Sequence, residues 1–99
     1  MELFMKLYDE QENVKVRFVG FTTENARYDF GIVYTNMFFG KPLVICVQTG
    51  RSALLDPNDV EDLDHLQNVF RIQDREQAED LAAFFSEILP PAPLTTQYE

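Results

Sequence analysis

The sequence has one cysteine, one histidine and no tryptophan among its 99 residues. Since a disulfide needs two cysteines, Cys46 has no partner within the chain, and an oxidising compartment is not implied. A cysteine-rich zinc site is excluded for the same reason. No apolar run approaches the roughly 20 residues of a membrane helix, and the first ten residues lack the features of a signal peptide. We therefore expect a cytoplasmic protein that does not bind membranes.

Catalytic motifs are also missing from the sequence. Neither a phosphate-binding G-x-x-x-x-G-K-[ST] loop nor a G-x-G-x-x-G turn occurs. Cys46 and His65 are the residue types of a nucleophile and its base. However, Cys46 lies in a strongly apolar segment, where a thiol is expected to be inert. The sequence therefore predicts no catalytic residue, no cofactor and no metal ligand.

Basic residues are scarce and unevenly distributed. Eight Lys and Arg oppose 17 Asp and Glu, which gives a net charge of −9. Residues 1–55 carry six acids and six bases, whereas residues 56–99 carry eleven acids and two bases. Such a surface repels phosphate backbones and anionic membranes, so no nucleic-acid partner is expected. A basic protein is the complementary partner, and solubility alone is the other explanation of the charge.

Two β-strands joined by a short polar turn are predicted in the first third of the chain. Residues 14–21 and 28–35 are rich in β-branched and aromatic side chains that alternate across the strand. A three-residue turn at 23–25 would place Phe18 opposite Phe30, and the apolar faces of the two strands would then agree.

The rest of the chain predicts further strands and one amphipathic helix. Residues 43–49 are expected to form a buried central strand, 52–55 a short strand and 66–72 a fifth strand. A helix begins after Asp74, an N-cap residue, with Gln77 in the position of a capping-box partner.

These elements predict an α+β fold: an antiparallel β-meander of four to five strands with a C-terminal amphipathic helix packed on one face. The predicted single domain covers residues 1–89. Residues 90–99 are predicted to be a proline-rich flexible tail, because two prolines end the helix.

Two apolar surfaces are candidate partner-binding sites. One predicted helix covers only one sheet face and leaves apolar side chains on the other, where either an oligomer partner or the N-terminal segment is expected to cover them. The loop between the second and third strands holds large apolar side chains where turns are normally polar. It either folds back onto the core or anchors a partner. The candidate residues are Val19, Phe21, Val33 and Val44 on the sheet face and Phe38 and Phe39 in the loop.

Two features suggest a ligand site instead. Arg51 follows a turn glycine and is a candidate contact for an anionic ligand. The acidic loop from Asp56 to Asp64 is a candidate cation site. It fails the EF-hand pattern, however, because Glu61 replaces the glycine of the sixth position and Gln67 replaces the glutamate of the twelfth.

Four short strings, at residues 17–21, 28–33, 39–41 and 48–51, resemble a domain-of-unknown-function family of small, acidic, uncharacterised Firmicute proteins. The resemblance spans most of the chain. It implies a bacterial cytosolic protein and brings no catalytic or binding residue with it.

We predict from these observations a non-enzymatic protein-interaction module that self-associates, with a symmetric dimer as the expected homo-oligomer. The alternative is a small-ligand or cation-binding domain that uses Arg51 or the acidic loop. A flat apolar face would favour the first function. A deep pocket gathering Arg17, Asp29, Arg51 and His65 would favour the second.

Overall fold

The computed structural model describes residues 3–24 and 26–89. Four antiparallel strands form one sheet in the order β1-β2-β3-β4, and three helices follow them in the chain. The α+β fold, the meander and the C-terminal helix are thereby confirmed. The elements are β1 (Lys15–Thr22), β2 (Arg27–Tyr34), β3 (Leu43–Cys46), β4 (Ser52–Leu54), α1 (Pro57–Val60), α2 (Leu63–Phe70) and α3 (Arg75–Ile88).

The core lies between one face of the sheet and the helices. The ring of Phe30 on β2 lies 5.6 Å from that of Phe70 on α2 and 4.9 Å from that of Phe85 on α3, both near edge-on. Such aromatic pairs bury large areas in a preferred geometry. The other fully buried apolar side chains surround this cluster: Ile32, Val44, Cys46, Leu55, Val60, Leu66, Ala78 and Leu81.

The pairing of β1 with β2 differs by one residue from the predicted register. Val19, not Phe18, lies opposite Phe30. The connection has four residues, 23–26, rather than three, because the backbone N–H of Thr23 donates to the carbonyl of Ala26 at 2.8 Å. A shift of one residue moves every side chain of a strand to the opposite face.

The predicted fifth strand at 66–72 is wrong, since this segment forms most of α2. The Asp62 carboxylate accepts from the backbone N–H of His65 at 3.1 Å and caps the helix. Leu63, Leu66 and Phe70 then recur at helical spacing toward the core. Arg71 ends the helix in a left-handed conformation.

The predicted acidic loop from Asp56 to Asp64 is also largely helical. It forms α1 and the first turn of α2. Asp56 and Asp59 make a reciprocal capping box, and Pro57 occupies the first turn, where its missing N–H costs nothing.

The start of α3 is confirmed, but one contact differs. The Asp74 carboxylate caps the helix by accepting from the backbone N–H of Glu76 at 3.0 Å. The Gln77 side chain instead accepts from the Tyr28 hydroxyl at 2.6 Å and ties the helix to β2. The tail predicted for residues 90–99 lies outside the described residues. Within the described ranges, none of the helices has the length and apolar character needed to cross a membrane.

We expect Leu81→Ala and Phe85→Ala each to lower the free energy of unfolding by about 2–5 kcal/mol, because both side chains are fully buried and leave a cavity. Chemical denaturation measures the loss. Glu79→Ala, at an exposed position of the same helix, is the matched control and should change stability by less than about 0.5 kcal/mol. Equal, small losses in all three variants would contradict the docking of α3.

Candidate functional site

The sheet face opposite the helices, called the outer face here, is largely apolar. Side chains alternate between the two faces of a strand, and residues paired across strands share a face. The observed pairings place two rows on this side of the sheet. One row is Val16, Val33, Leu43 and Leu54, and the next is Phe18, Gly31, Ile45 and Ser52. The helices pack on the other side of the sheet, against Phe30, Ile32 and Val44.

The sheet-face candidates from the sequence divide between the two sides. Val33 lies on the outer face as expected. Val44 is fully buried in the core, and Val19 and Phe21 pack against that core from β1. The register shift explains why Val19 and Phe21 lie on the core side of the sheet. Val44 was misplaced because an almost wholly apolar strand gives no alternation from which its face can be read.

Phe18 is the most prominent side chain of the outer face. Its exposed fraction is 78%. A Cβ built on Gly31 of the neighbouring strand would lie only 3.3 Å from the Phe18 ring, so the ring rests on the glycine backbone. The absence of a side chain at Gly31 thus lets the Phe18 ring contact the backbone of β2, while most of the ring remains exposed to solvent.

The polar groups of the outer face gather at one end. The Asp29 carboxylate accepts from the Gln48 amide at 2.7 Å and from Arg27 Nε at 3.1 Å. These two contacts lower the pKa of Asp29 below its ordinary value, with the Gln48 hydrogen bond as the larger cause. Within the two rows defined above, no side chain is ionisable.

The Phe38–Phe39 turn, between β2 and β3, presents its aromatic side chains to solvent. Phe38 and Phe39 have φ angles of 55° and 63°, in the left-handed region, and Gly40 follows with 73°. Bulky residues reach this region only at a cost of about 1–2 kcal/mol each. Phe39 is nonetheless 90% exposed. Phe39 therefore does not fold back onto the core, which was one of the two alternatives for this loop.

The N-terminal arm, defined as residues 3–8, is a third exposed apolar feature. Its large apolar side chains have exposed fractions between 59% and 91%. Glu12, which follows the arm in the chain, is held against the end of β2. Its carboxylate accepts from the Thr35 hydroxyl at 2.5 Å and from the Asn36 backbone N–H at 2.7 Å. These hydrogen bonds, the Thr35 bond first, lower the pKa of Glu12.

Arg51 and the acidic segment have structural contacts. Arg51 Nε donates to the Val69 carbonyl at 2.7 Å and ties the sheet to α2. The hollow beside Arg51 is lined by Gly50, Ser52, Asn68 and Val69, and it does not gather Arg17, Asp29 or His65.

Four of the five carboxylates of the acidic segment, Asp56 to Asp64, serve helix caps or ion pairs: Asp56, Asp59, Asp62 and Asp64. Lys41 Nζ lies 2.9 Å from Asp59 and 3.8 Å from Asp56. The hydrogen bond to Asp59 is the main cause that raises the pKa of Lys41. Burial pushes the pKa of Asp59 upward, but the hydrogen bonds from Lys41 and Asp56 outweigh it and leave the pKa lowered. In the described part of the chain, no three His, Cys, Asp or Glu side chains gather as a metal site.

A shallow groove runs between the end of β1 and α3. Phe21 and Phe84 form its floor, with their rings stacked at 4.6 Å. Five carboxylate residues surround that floor: Glu24, Asp74, Glu76, Asp80 and Glu87. The sequence revealed the acidic charge of α3, but it did not reveal the groove, because the wrong register placed Phe21 on the other side of the sheet.

Comparison with known families finds a match over residues 7–87, from the N-terminal arm through nearly all of α3. The chain belongs to the SAV0927-like family. The resemblance to a small uncharacterised family is thereby confirmed, and membership brings no activity with it. A search of curated proteins found no match.

The lowered pKa of Glu12 predicts how its contact depends on pH. Because the folded pKa lies below the unfolded value of about 4.3, the contact is complete above that value and is lost as the pH falls through the lower folded pKa. The amide proton shift of Asn36 in an NMR titration should therefore move with a midpoint below the ordinary glutamate value. Glu12→Gln, which keeps the side-chain shape, should abolish this titration. A midpoint at the ordinary value would contradict the hydrogen bonds described.

Proposed function

We propose that the protein is a non-enzymatic interaction module that self-associates as a symmetric dimer through its outer face. The single observation that carries the proposal is the pair of adjacent rows of uncharged side chains, in which Phe18, on the edge strand β1, is 78% exposed. Contiguous apolar patches of this kind are rare on monomeric proteins and mark interaction sites. An open sheet face is the form expected of a protein interface rather than of a ligand pocket.

The charge distribution supports pairing through this face. Residues 1–55, which include the whole sheet, carry equal numbers of acids and bases, and the charge of −9 arises from residues 56–99. The three helices lie on the other side of the sheet. Two copies joined through their outer faces would therefore hold their acidic helical layers apart. Pairing through the helices would bring like charges together, which is unfavourable.

The exposed aromatic residues give the interface its expected anchors. Burying a Phe side chain contributes roughly 1.5–3 kcal/mol, and aromatic residues dominate the binding energy of many interfaces. Phe18 lies on the outer face, and the Phe38–Phe39 turn lies at the end of the sheet next to the Val33–Leu43 pair. We include Phe39 in the interface because a strained turn holds it out in solvent.

The cellular setting belongs to the same proposal. We propose a cytoplasmic location, supported by a single thiol, Cys46, that is fully buried. The small-ligand alternative has weaker support, since Arg51, Asp56 and Asp59 are already engaged in contacts within the chain.

We expect Phe18→Ser to weaken the dimer at least tenfold, because it removes the most exposed apolar side chain of the two rows. Phe39→Asn removes the aromatic ring while asparagine tolerates the left-handed backbone, and it should weaken the dimer less. Sedimentation velocity over about 1–100 μM measures both. Arg17→Ser, on the same strand but the opposite face, is the matched control and should leave the dimer intact.

Two results would overturn the proposal. A wild-type protein that stays monomeric over the whole concentration range rules out self-association. A dimer that Arg17→Ser and Phe18→Ser weaken equally rules out the outer face as the interface.

The groove over Phe21 and Phe84 supports a second candidate function, binding of a basic segment of another protein. An apolar floor bordered by five carboxylate residues complements a segment that alternates aromatic and basic side chains. This binding would use the acidic layer that the dimer leaves in solvent, so the two functions are compatible.

Calorimetric titration with a synthetic peptide of alternating arginine and phenylalanine tests this binding. Glu76→Gln combined with Asp80→Asn should weaken binding at least tenfold, because two carboxylates leave the groove. Glu79→Gln, on the same helix outside the groove lining, should have a smaller effect. No saturable binding, or equal losses in both proteins, would remove the groove from the proposal.

A further inference from the structure

The N-terminal arm has the pattern of an extended segment with one apolar side. In an extended chain, Leu3, Met5 and Leu7 project to one side, and Phe4, Lys6 and Tyr8 project to the other. Leu3, Met5 and Leu7 are each more than 85% exposed. Packing these side chains on another apolar surface removes them from water, which is energetically favourable.

The arm has the right length to cross the outer face. Six residues in an extended conformation span about 20 Å at roughly 3.3 Å per residue. Four strands about 4.8 Å apart are roughly 15 Å wide between the first and the last. One arm is therefore long enough to lie across all four strands and contact both apolar rows.

The arm does not lie on its own outer face in this structure. The chain from Leu3 to Asn13 is exposed at every residue. Glu12 fixes the root of the arm to Thr35 and Asn36, directly after the last residue of β2. The root is thus held at the end of the sheet where the row of Val16 and Val33 lies. An arm leaving this point is placed to reach a second sheet that faces the first.

We propose that the arm is the part of the second copy that covers the outer face: in the dimer, each arm crosses the sheet of its partner. This inference rests on the proposed self-association and adds which segment fills the interface. It explains in one contact why a small acidic chain exposes both an apolar arm and an apolar sheet face. Phe18, seated on Gly31, lies in the path of the arm across the row that it shares with Ile45.

The first test is sedimentation velocity of the full chain carrying Leu3→Ser, Met5→Ser and Leu7→Ser. We expect the dimer to weaken at least tenfold, while thermal unfolding at concentrations where the chain is monomeric stays unchanged, since these side chains have almost no contacts within one copy. Lys6→Ser, on the other side of the arm, is the matched control and should leave the dimer intact. Wild-type affinity in the triple variant overturns the arm contact and leaves the outer-face dimer standing.

The second test identifies which copy supplies the arm. An apolar photo-crosslinking amino acid replaces Met5, on the apolar side of the arm, and an equal mixture of ordinary and ¹⁵N-labelled chains is illuminated. We expect crosslinks from the arm to β1–β3 peptides of the outer face, about half of which join chains of different mass. Crosslinks only within chains of one mass would show the arm on its own sheet, and crosslinks elsewhere would remove it from this face. Either result overturns the inference.

Discussion

The contact of Phe30 with Phe70 and Phe85 determines the side of the sheet on which the helices lie. Phe30 is on the second of four strands, and its ring meets α2 and α3 at once. Because side chains alternate along a strand, committing Phe30 to the core places Gly31 and Val33 on the outer face. The position of every other side chain of the sheet follows through the pairing of the strands.

The outer face and the acidic helical layer are therefore two consequences of one packing arrangement. The three helices bury the face around Phe30 and carry most of the negative charge of the chain into solvent. The opposite side keeps Val16, Phe18 and Ile45, with no ionisable side chain in their two rows. A two-layer domain with one helical layer leaves such a face available. Its partner is the central question about this protein, and the arm is the occupant that we propose.

Local patterns predicted much of the fold. The strands around Phe30 and Val44, the helix after Asp74 and the meander order were all recognisable from alternation and from a cap residue. The apolar pattern of residues 66–72 predicted a strand, although Asp62 is a good N-cap and the apolar residues from Leu63 to Phe70 recur three and four positions apart. A short apolar segment can fit either the two-residue repeat of a strand or the 3.6-residue repeat of a helix. Here the packing of Phe70 against Phe30 and Phe85 selects the helix.

The sequence by itself determined the fold class and the acidic character of the second half of the chain. It also determined that the single thiol, Cys46, lies in an apolar strand, and that the chain has more apolar side chains than one helix can cover. The tertiary structure decided which residues form that excess. Val33 lies on the outer face as predicted, and Val44 lies in the core. On β1, Val19 and Phe21 face the core, and Phe18 lies on the outer face instead. The physical reason is the pleat: with a repeat of two residues, one additional residue in the connection at 23–26 exchanges the two faces of β1. Only the hydrogen bonds of that turn and the packing of Phe30 fix its length.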